Sequence, residues 1–105
     1  MPRRLLFVAT SPVGYRVSLS RDRWREIVRF KHPALAGKER LVRECIESPS
    51  LVRESSKNSE VHMYYRPAGP HQICVVVAPT GPDERFVVTA YFTRNVKEGS
   101  TLWTS

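Results

Sequence analysis

The sequence has few cysteines and no long apolar run. Its 105 residues include two cysteines, Cys45 and Cys74, which lie far apart and outside any metal-ligand spacing. Both have apolar neighbours ("VRECIE" and "QICVVV"), so we expect buried free thiols rather than a disulfide. The apolar stretch "LLFVA" near the start is too short for a signal peptide, and no segment approaches a membrane span. These absences predict a cytoplasmic protein with no membrane contact.

Acidic residues are also in short supply. The chain has 17 Lys and Arg against 10 Asp and Glu, a formal net charge of +7, and 13 of the 17 cations are arginine. Residues 1–66 hold 14 basic and 7 acidic residues, whereas residues 67–105 hold 3 of each. Because the arginine fork suits phosphate, this excess favours a polyanion partner such as nucleic acid. A basic solubilising surface explains the same charge. No dense acidic cluster is present to hold a catalytic metal, so we expect no metal and no cofactor.

The first third of the chain predicts a β-hairpin and then a helix. Two short strands, Leu5–Thr10 and Gly14–Ser20, are separated by "SPVG". Ser20 is a suitable helix N-cap, and Asp22 follows in the first turn. The helix should end at His32, because the following Pro33 disfavours helical geometry there. A second helix is predicted from about residue 38 to residue 47.

The rest of the chain has the period-2 pattern of strands. The segments "SLVRES", "EVHMYYR", "ICVVVAP" and "RFVVTAYFT" are separated by turn residues, and "NVKEGSTLW" can add a last short strand. The sequence therefore predicts one α+β domain over residues 1–105: an N-terminal β-hairpin, two helices, then an antiparallel meander of three to four strands with the helices on one face. We expect Trp24, Ile27, Leu41, Val75, Val77, Val88 and Phe92 to share one core.

Alternation along the strands predicts two different sheet faces. The face packed on the helices should carry Val61, Met63, Tyr65, Phe86, Val88, Ala90 and Phe92. The other face should carry His62, Tyr64, Arg66, Thr89, Tyr91 and Thr93. Tyrosines offer stacking area for bases and arginine can hold phosphate, which favours nucleic-acid binding over a plain solvated surface. A register shift of one residue would exchange the faces, and Tyr65 would then replace Tyr64 and Tyr91.

The stretch "RWREIVRFKHP" contains the most specific candidate. At about 100° per residue, Arg21, Arg25 and Arg29 form one stripe, and His32 falls between it and the apolar face of the helix. A histidine there could transfer a proton at a phosphate held by the arginines. It could equally be a structural residue that hydrogen-bonds the last carbonyls of the helix.

Several segments taken together resemble a known family. "RDRWREIVRFKHP", "CIESPSLVRES", "VHMYYRP", "ICVVVAP" and "FVVTAYFTRNVKEGSTLW" are similar to a family of small bacterial and phage proteins with a Trp-Ile-His-Pro helix and "YYR" and "TAY" strands. That family resembles the barnase/EndoU/colicin/RelE-like nuclease fold, a helical layer against an antiparallel sheet. The resemblance covers the chain from about Tyr15 to Trp103.

The resemblance implies a metal-independent endoribonuclease, toxin-like or phage-related, in which the ribose 2′-oxygen attacks its own phosphate. The alternative is a non-catalytic domain of the same fold that binds nucleic acid or a protein. Partners would be RNA and an acidic antitoxin-like protein, and the chain would be a monomer or small homo-oligomer. Barnase-like enzymes use a glutamate base, whereas Glu54 and Glu60 lie near turns here, so the general base stays open.

The candidate site residues fall into a catalytic group and a nucleic-acid-binding group. The catalytic candidates are His32 for proton transfer, Arg66 as a phosphate clamp, and Thr89 and Tyr91 to orient the substrate. The nucleic-acid-binding candidates are Arg21, Arg25, Arg29, Arg53 and Tyr64.

Overall fold

The fold is known from a computed structural model that describes residues 4–105. It has seven strands, two α-helices, a π-helical segment and a 3₁₀ turn. The elements in chain order are β1 (Leu5–Thr10), β2 (Arg16–Ser20), α1 (Arg21–Glu26), the π-helical segment (Ile27–Lys31), the 3₁₀ turn (Pro33–Leu35), α2 (Glu39–Glu47), β3 (Leu51–Ser55), β4 (His62–Ala68), β5 (His71–Gly81), β6 (Glu84–Thr93) and β7 (Gly99–Thr104).

All seven strands belong to one sheet. Their order is β1-β2-β6-β5-β4-β3-β7, and every pairing is antiparallel except the parallel pairing of β2 with β6. The predicted α+β class is confirmed, and β1 and β2 form the predicted hairpin. The expected count of three to four strands after the helices was too low, since five follow α2. The count falls short because β3 and β7 are short and pair with each other at the far end of the sheet.

The first helix begins as predicted and ends differently. The Ser20 hydroxyl caps α1 by accepting from the backbone N–H of Arg23 at 3.1 Å. After Glu26 the backbone changes to π-helical geometry, and the His32 N–H donates to the Ile27 carbonyl at 2.6 Å. A π-helical turn holds more residues than an α-helical turn, so His32 is rotated away from its place on a regular helix. The predicted regular helix up to His32 was therefore wrong in its last turn.

The main core lies between the helices and one face of the sheet. Trp24 and Ile27 of the first helical segment and Val42, Cys45 and Ile46 of α2 pack there. Their partners from the sheet include Tyr64, Val75 and Ala90, which lie side by side on neighbouring strands. We call this side of the sheet the helix face.

The opposite side, which we call the outer face, has a smaller core of its own. Met63, Tyr65 and Cys74 are buried there, and Tyr91 and Val96 pack against them. The covering element is the connection from β6 to β7, residues 94–98, because β6 is the third strand of the sheet and β7 the seventh. This crossover enters β7 at Gly99, where a Cβ would lie 1.9 Å from the Glu54 carbonyl oxygen. Only glycine permits that approach.

The predicted faces were wrong along the whole of β4 and at Val88. The alternation predicted Tyr65 on the helix face and Tyr64 on the other, whereas Tyr64 lies on the helix face and Tyr65 on the outer face. The crossover explains the error: residues 62–65 are all buried, so polarity does not distinguish the two sides. Val88 is also outside the main core, because a register shift pairs Val77 with Val87 and Val76 with Thr89.

Cys45 and Cys74 are both free and buried, as predicted. They lie in different cores, on opposite faces of the sheet. Between residues 4 and 105, no helix has the length and apolar character needed to cross a membrane.

Replacing Val75 by alanine should lower the free energy of unfolding by about 1–3 kcal/mol, because its fully buried side chain (0% exposed) would leave a cavity in the central strand. Val8→Ala is the matched control: Val8 is 44% exposed and should change stability by less than about 0.5 kcal/mol. Urea denaturation followed by circular dichroism measures both, and equal losses in the two variants would contradict the core assignment.

Candidate active site

The uncovered edge of β6 brings the end of the first helix to the outer face. β2 pairs with β6 only over residues 16–18 and 84–86, so the C-terminal half of β6 has no strand on that side. The chain turns from β2 into α1 at Arg21 and reaches His32 at the end of the π-helical segment. There the His32 ring packs on the Tyr91 ring in a tilted geometry, with 5.5 Å between centroids. Helical layer and sheet therefore meet at Tyr91.

A lysine is the second neighbour of the Tyr91 ring. The Lys97 ammonium lies 5.6 Å from the centroid of the Tyr91 ring, within cation–π range. The Tyr91 hydroxyl is buried and has no hydrogen-bond partner in the described part of the chain. Burial, together with the neighbouring Cys74, raises the pKa of Tyr91, so this phenol keeps its proton at neutral pH. An imidazole and an ammonium group thus both lie against the ring of one tyrosine of the outer face.

Thr89 and Arg53 lie on the same face of the sheet as Tyr91. Thr89 is opposite Val76, and its hydroxyl is buried without a partner among residues 4–105. Arg53 is opposite Met63, and its Nη1 donates to the Lys97 carbonyl at 3.1 Å, while its Nε has no partner in that same range. Buried unpaired polar groups cost free energy, and such groups occur at sites that bind ligands.

Lys97 is the residue that sequence reasoning missed. Its backbone N–H donates to the Tyr65 hydroxyl at 3.1 Å, and its carbonyl accepts from Arg53. The two bonds fix the crossover on the outer face and hold the Lys97 side chain beside Tyr91. The signal was present in "NVKEGS", where a lysine stands two residues before the glycine that the crossover needs. Its position beside Tyr91 depends on strand order, which the pattern did not give.

Two of the expected site residues lie elsewhere. Arg66 is near the end of α2, where its Nη1 donates to the Ser48 carbonyl. Tyr64 is completely buried in the main core (0% exposed), so it offers no surface on which a base could stack. The expectation that Tyr64 contacts nucleic acid was wrong, and the reason is the same one-residue error in the faces of β4.

Arg21, Arg25 and Arg29 lie together along a groove in the first helical segment. The groove has a volume of 340 Å³, and its walls include Trp24 and Val28. All three arginines are exposed, and Arg25 pairs with Asp22 at 3.8 Å. Phe30, next to Arg29, is 74% exposed, with the Arg29 guanidinium 5.7 Å from its ring. The groove thus combines three arginines and one carboxylate, that of Glu39, with apolar surface.

A chain of buried polar groups occupies the other end of the sheet. The Tyr64 hydroxyl, which also contacts the Ser11 hydroxyl, donates to the Tyr15 hydroxyl at 2.5 Å. The Tyr15 hydroxyl in turn lies 2.8 Å from His62 Nδ1, and the Arg85 guanidinium is 4.6 Å from the Tyr15 ring centroid. Sequence reasoning did not select Ser11, Tyr15 or Arg85. The chain ties the β1–β2 loop to β4, and we assign it a structural role.

His62 is held neutral in this chain. Burial, with a smaller contribution from Arg85, lowers its pKa from 6.5 to about 4. Burial also raises the pKa of both tyrosines of the chain, so all its members are uncharged at neutral pH. With His62 neutral, the Tyr15 hydroxyl donates a hydrogen bond to its Nδ1.

Comparison of the chain with protein-family models, with curated proteins and with solved structures finds no match. The nuclease-like resemblance of the motifs therefore stays a prediction. Within residues 4–105 no three His, Cys, Asp or Glu side chains come together as a metal-binding group.

The stability of the protein should fall as the pH drops from about 6.5 to about 4, because the unfolded chain protonates His62 in this range and the folded protein resists it. The loss attributable to His62 is at most about 3.5 kcal/mol, since each pKa unit corresponds to about 1.4 kcal/mol. Urea denaturation at several pH values measures it. His62→Gln should flatten the pH dependence in this window, whereas His71→Gln should keep it. Parallel curves for wild type and His62→Gln would contradict the assignment.

Proposed function

We propose that this protein is a small endoribonuclease that cleaves single-stranded RNA without a metal ion, in a toxin-like or phage-related role. The observation that supports the proposal most strongly is the contact of His32 with Tyr91, joined by Lys97 over the same ring. These groups come from the end of the helical segment, the sheet and the crossover, and they meet where two buried hydroxyls, those of Thr89 and Tyr91, lack partners in the described chain.

The groups suit transphosphorylation of RNA. The ribose 2′-oxygen attacks the adjacent phosphorus, the bond to the 5′-oxygen breaks, and the products are a 2′,3′-cyclic phosphate and a 5′-hydroxyl end. In the proposed step His32 takes the proton of the 2′-hydroxyl and returns it to the leaving 5′-oxygen, because imidazole both accepts and donates protons near neutral pH. Lys97 and the O–H donors of Thr89 and Tyr91 stabilise the negative charge that develops on the phosphate oxygens.

The basic groove supplies binding for the RNA on one side of this site. Arg29 stands three residues before His32 in the same helical segment, and Arg25 and Arg21 continue the line of positive charge away from it. An RNA strand whose phosphates follow these arginines would reach His32 with its next nucleotide. The exposed ring of Phe30, beside Arg29, offers apolar surface for bases.

Replacing His32 by alanine should slow the cleavage of a mixed-sequence RNA by about 10²–10⁴-fold, the usual effect of losing a proton-transfer group. The assay contains EDTA and identifies the 2′,3′-cyclic phosphate ends. His71→Ala is the control, because His71 is hydrogen-bonded to Arg94 and belongs to neither the groove nor the site. Equal rates for wild type and His32→Ala would remove His32 from the mechanism, and no cleavage by wild type would refute the nuclease proposal.

RNA affinity should decrease steeply with salt, and Arg25→Gln/Arg29→Gln should reduce the slope of log K against log salt by about 1.4, since each phosphate contact on a single strand contributes about 0.7. Fluorescence anisotropy with a labelled RNA measures this slope. The charge-matched control is Arg16→Gln/Arg43→Gln, which removes two arginines paired with Glu84 and Glu47. The groove assignment would be contradicted by the same slope in both double variants.

The second candidate is a non-catalytic RNA-binding domain. The groove favours it independently of His32, because arginines beside aromatic and apolar surface bind single strands without any chemistry. The two functions differ in one result: a binding domain would show the salt-dependent affinity and leave the RNA intact in the cleavage assay.

A further inference from the structure

A second cavity lies on the outer face, on the far side of Lys97 from the basic groove. Its volume is 430 Å³, within the range of about 300–1,000 Å³ typical of small-ligand sites. The apolar part of its lining consists of Val61, Met63 and Val76, and the polar part includes Ser56, Lys57 and Lys97. We propose that this cavity binds one nucleotide of the RNA, with its base on the apolar floor and its phosphate at the lysines. This proposal rests on the proposed function, because the nucleotide in the cavity would be part of the RNA substrate.

The location of the cavity connects it to the candidate active site. Lys97 lines the cavity and also lies beside the Tyr91 ring, on which His32 packs. Val76, in the cavity lining, is the direct partner of Thr89 on the neighbouring strand. A nucleotide in the cavity would therefore place one of its phosphates next to the groups assigned to cleavage.

The chemistry of the lining suits a nucleotide better than a purely apolar ligand. Lys57 and Lys97 form no ion pair with a carboxylate among residues 4–105, so both remain available to a phosphate. Glu98, also in the lining, is an acceptor for an N–H group of a base. The apolar floor and the two cations together match a base joined to a phosphate.

The test uses nucleoside 5′-monophosphates and inorganic phosphate as probes, and measures binding by calorimetry and by amide chemical shifts. Ser56→Trp should block the cavity and weaken mononucleotide binding by about tenfold or more. Lys57→Glu should weaken it to a similar extent by removing a cation. Ser59→Trp is the matched control, because Ser59 is exposed in the same turn and does not line the cavity. It should bind like wild type.

The outcomes separate this proposal from the nuclease proposal. If Ser56→Trp and Ser59→Trp bind mononucleotides equally, or if inorganic phosphate binds as tightly as a nucleotide, the cavity is no nucleotide site, whatever the protein does to RNA. If binding depends on Ser56 and Lys57 while RNA stays intact, the nucleotide site stands and the nuclease assignment falls. If RNA is cleaved, Ser56→Trp should raise the KM for RNA more than it lowers kcat, and an unchanged KM would refute the role of the cavity in RNA binding.

Discussion

The connection from β6 to β7 determines most of what is distinctive in this structure. Because β7 lies four strands away from β6, the chain must cross the outer face, and Tyr65 and Arg53 hold the crossover there through Lys97. The crossover buries one side of strands whose other side already faces the helices. It thereby creates a second core, brings Lys97 to Tyr91, and forms one wall of the outer-face cavity.

The parallel pairing of β2 with β6 is short, and its length determines how much of β6 the first helical segment can approach. It ends at Phe86, so the remainder of β6 is left with an open edge that the first helical segment approaches. The π-helical turn then rotates His32 onto Tyr91. A longer β2 would cover that edge with a strand and separate the imidazole from the sheet. The short β2–β6 pairing and the π-helical turn are both departures from regular structure, and together they bring His32 to Tyr91 in the candidate active site.

The two polar regions of the molecule differ in how well their groups are satisfied. In the chain from Ser11 to His62 each hydroxyl has a partner, and burial keeps the members uncharged. That arrangement stabilises a loop against the sheet. On the outer face, the hydroxyls of Thr89 and Tyr91 and the Nε of Arg53 are buried without partners among residues 4–105. The unsatisfied region is the better candidate for binding because a substrate can supply the missing acceptors.

Local pattern was sufficient for the elements whose signals are local. The Ser20 cap, the end of the first helical segment before Pro33, the extent of α2 and the buried free cysteines follow from neighbouring residues alone. Thr89 and Tyr91 could be paired because they alternate on one strand. Strand order, the crossover and the π-helical turn depend on contacts between residues distant in sequence. Tertiary structure alone therefore decided that Tyr64 lies in the core, that Arg66 lies near the end of α2, and that Lys97 and His32 both contact the Tyr91 ring. The alternation could not show this, because a strand buried on both sides has no polar face.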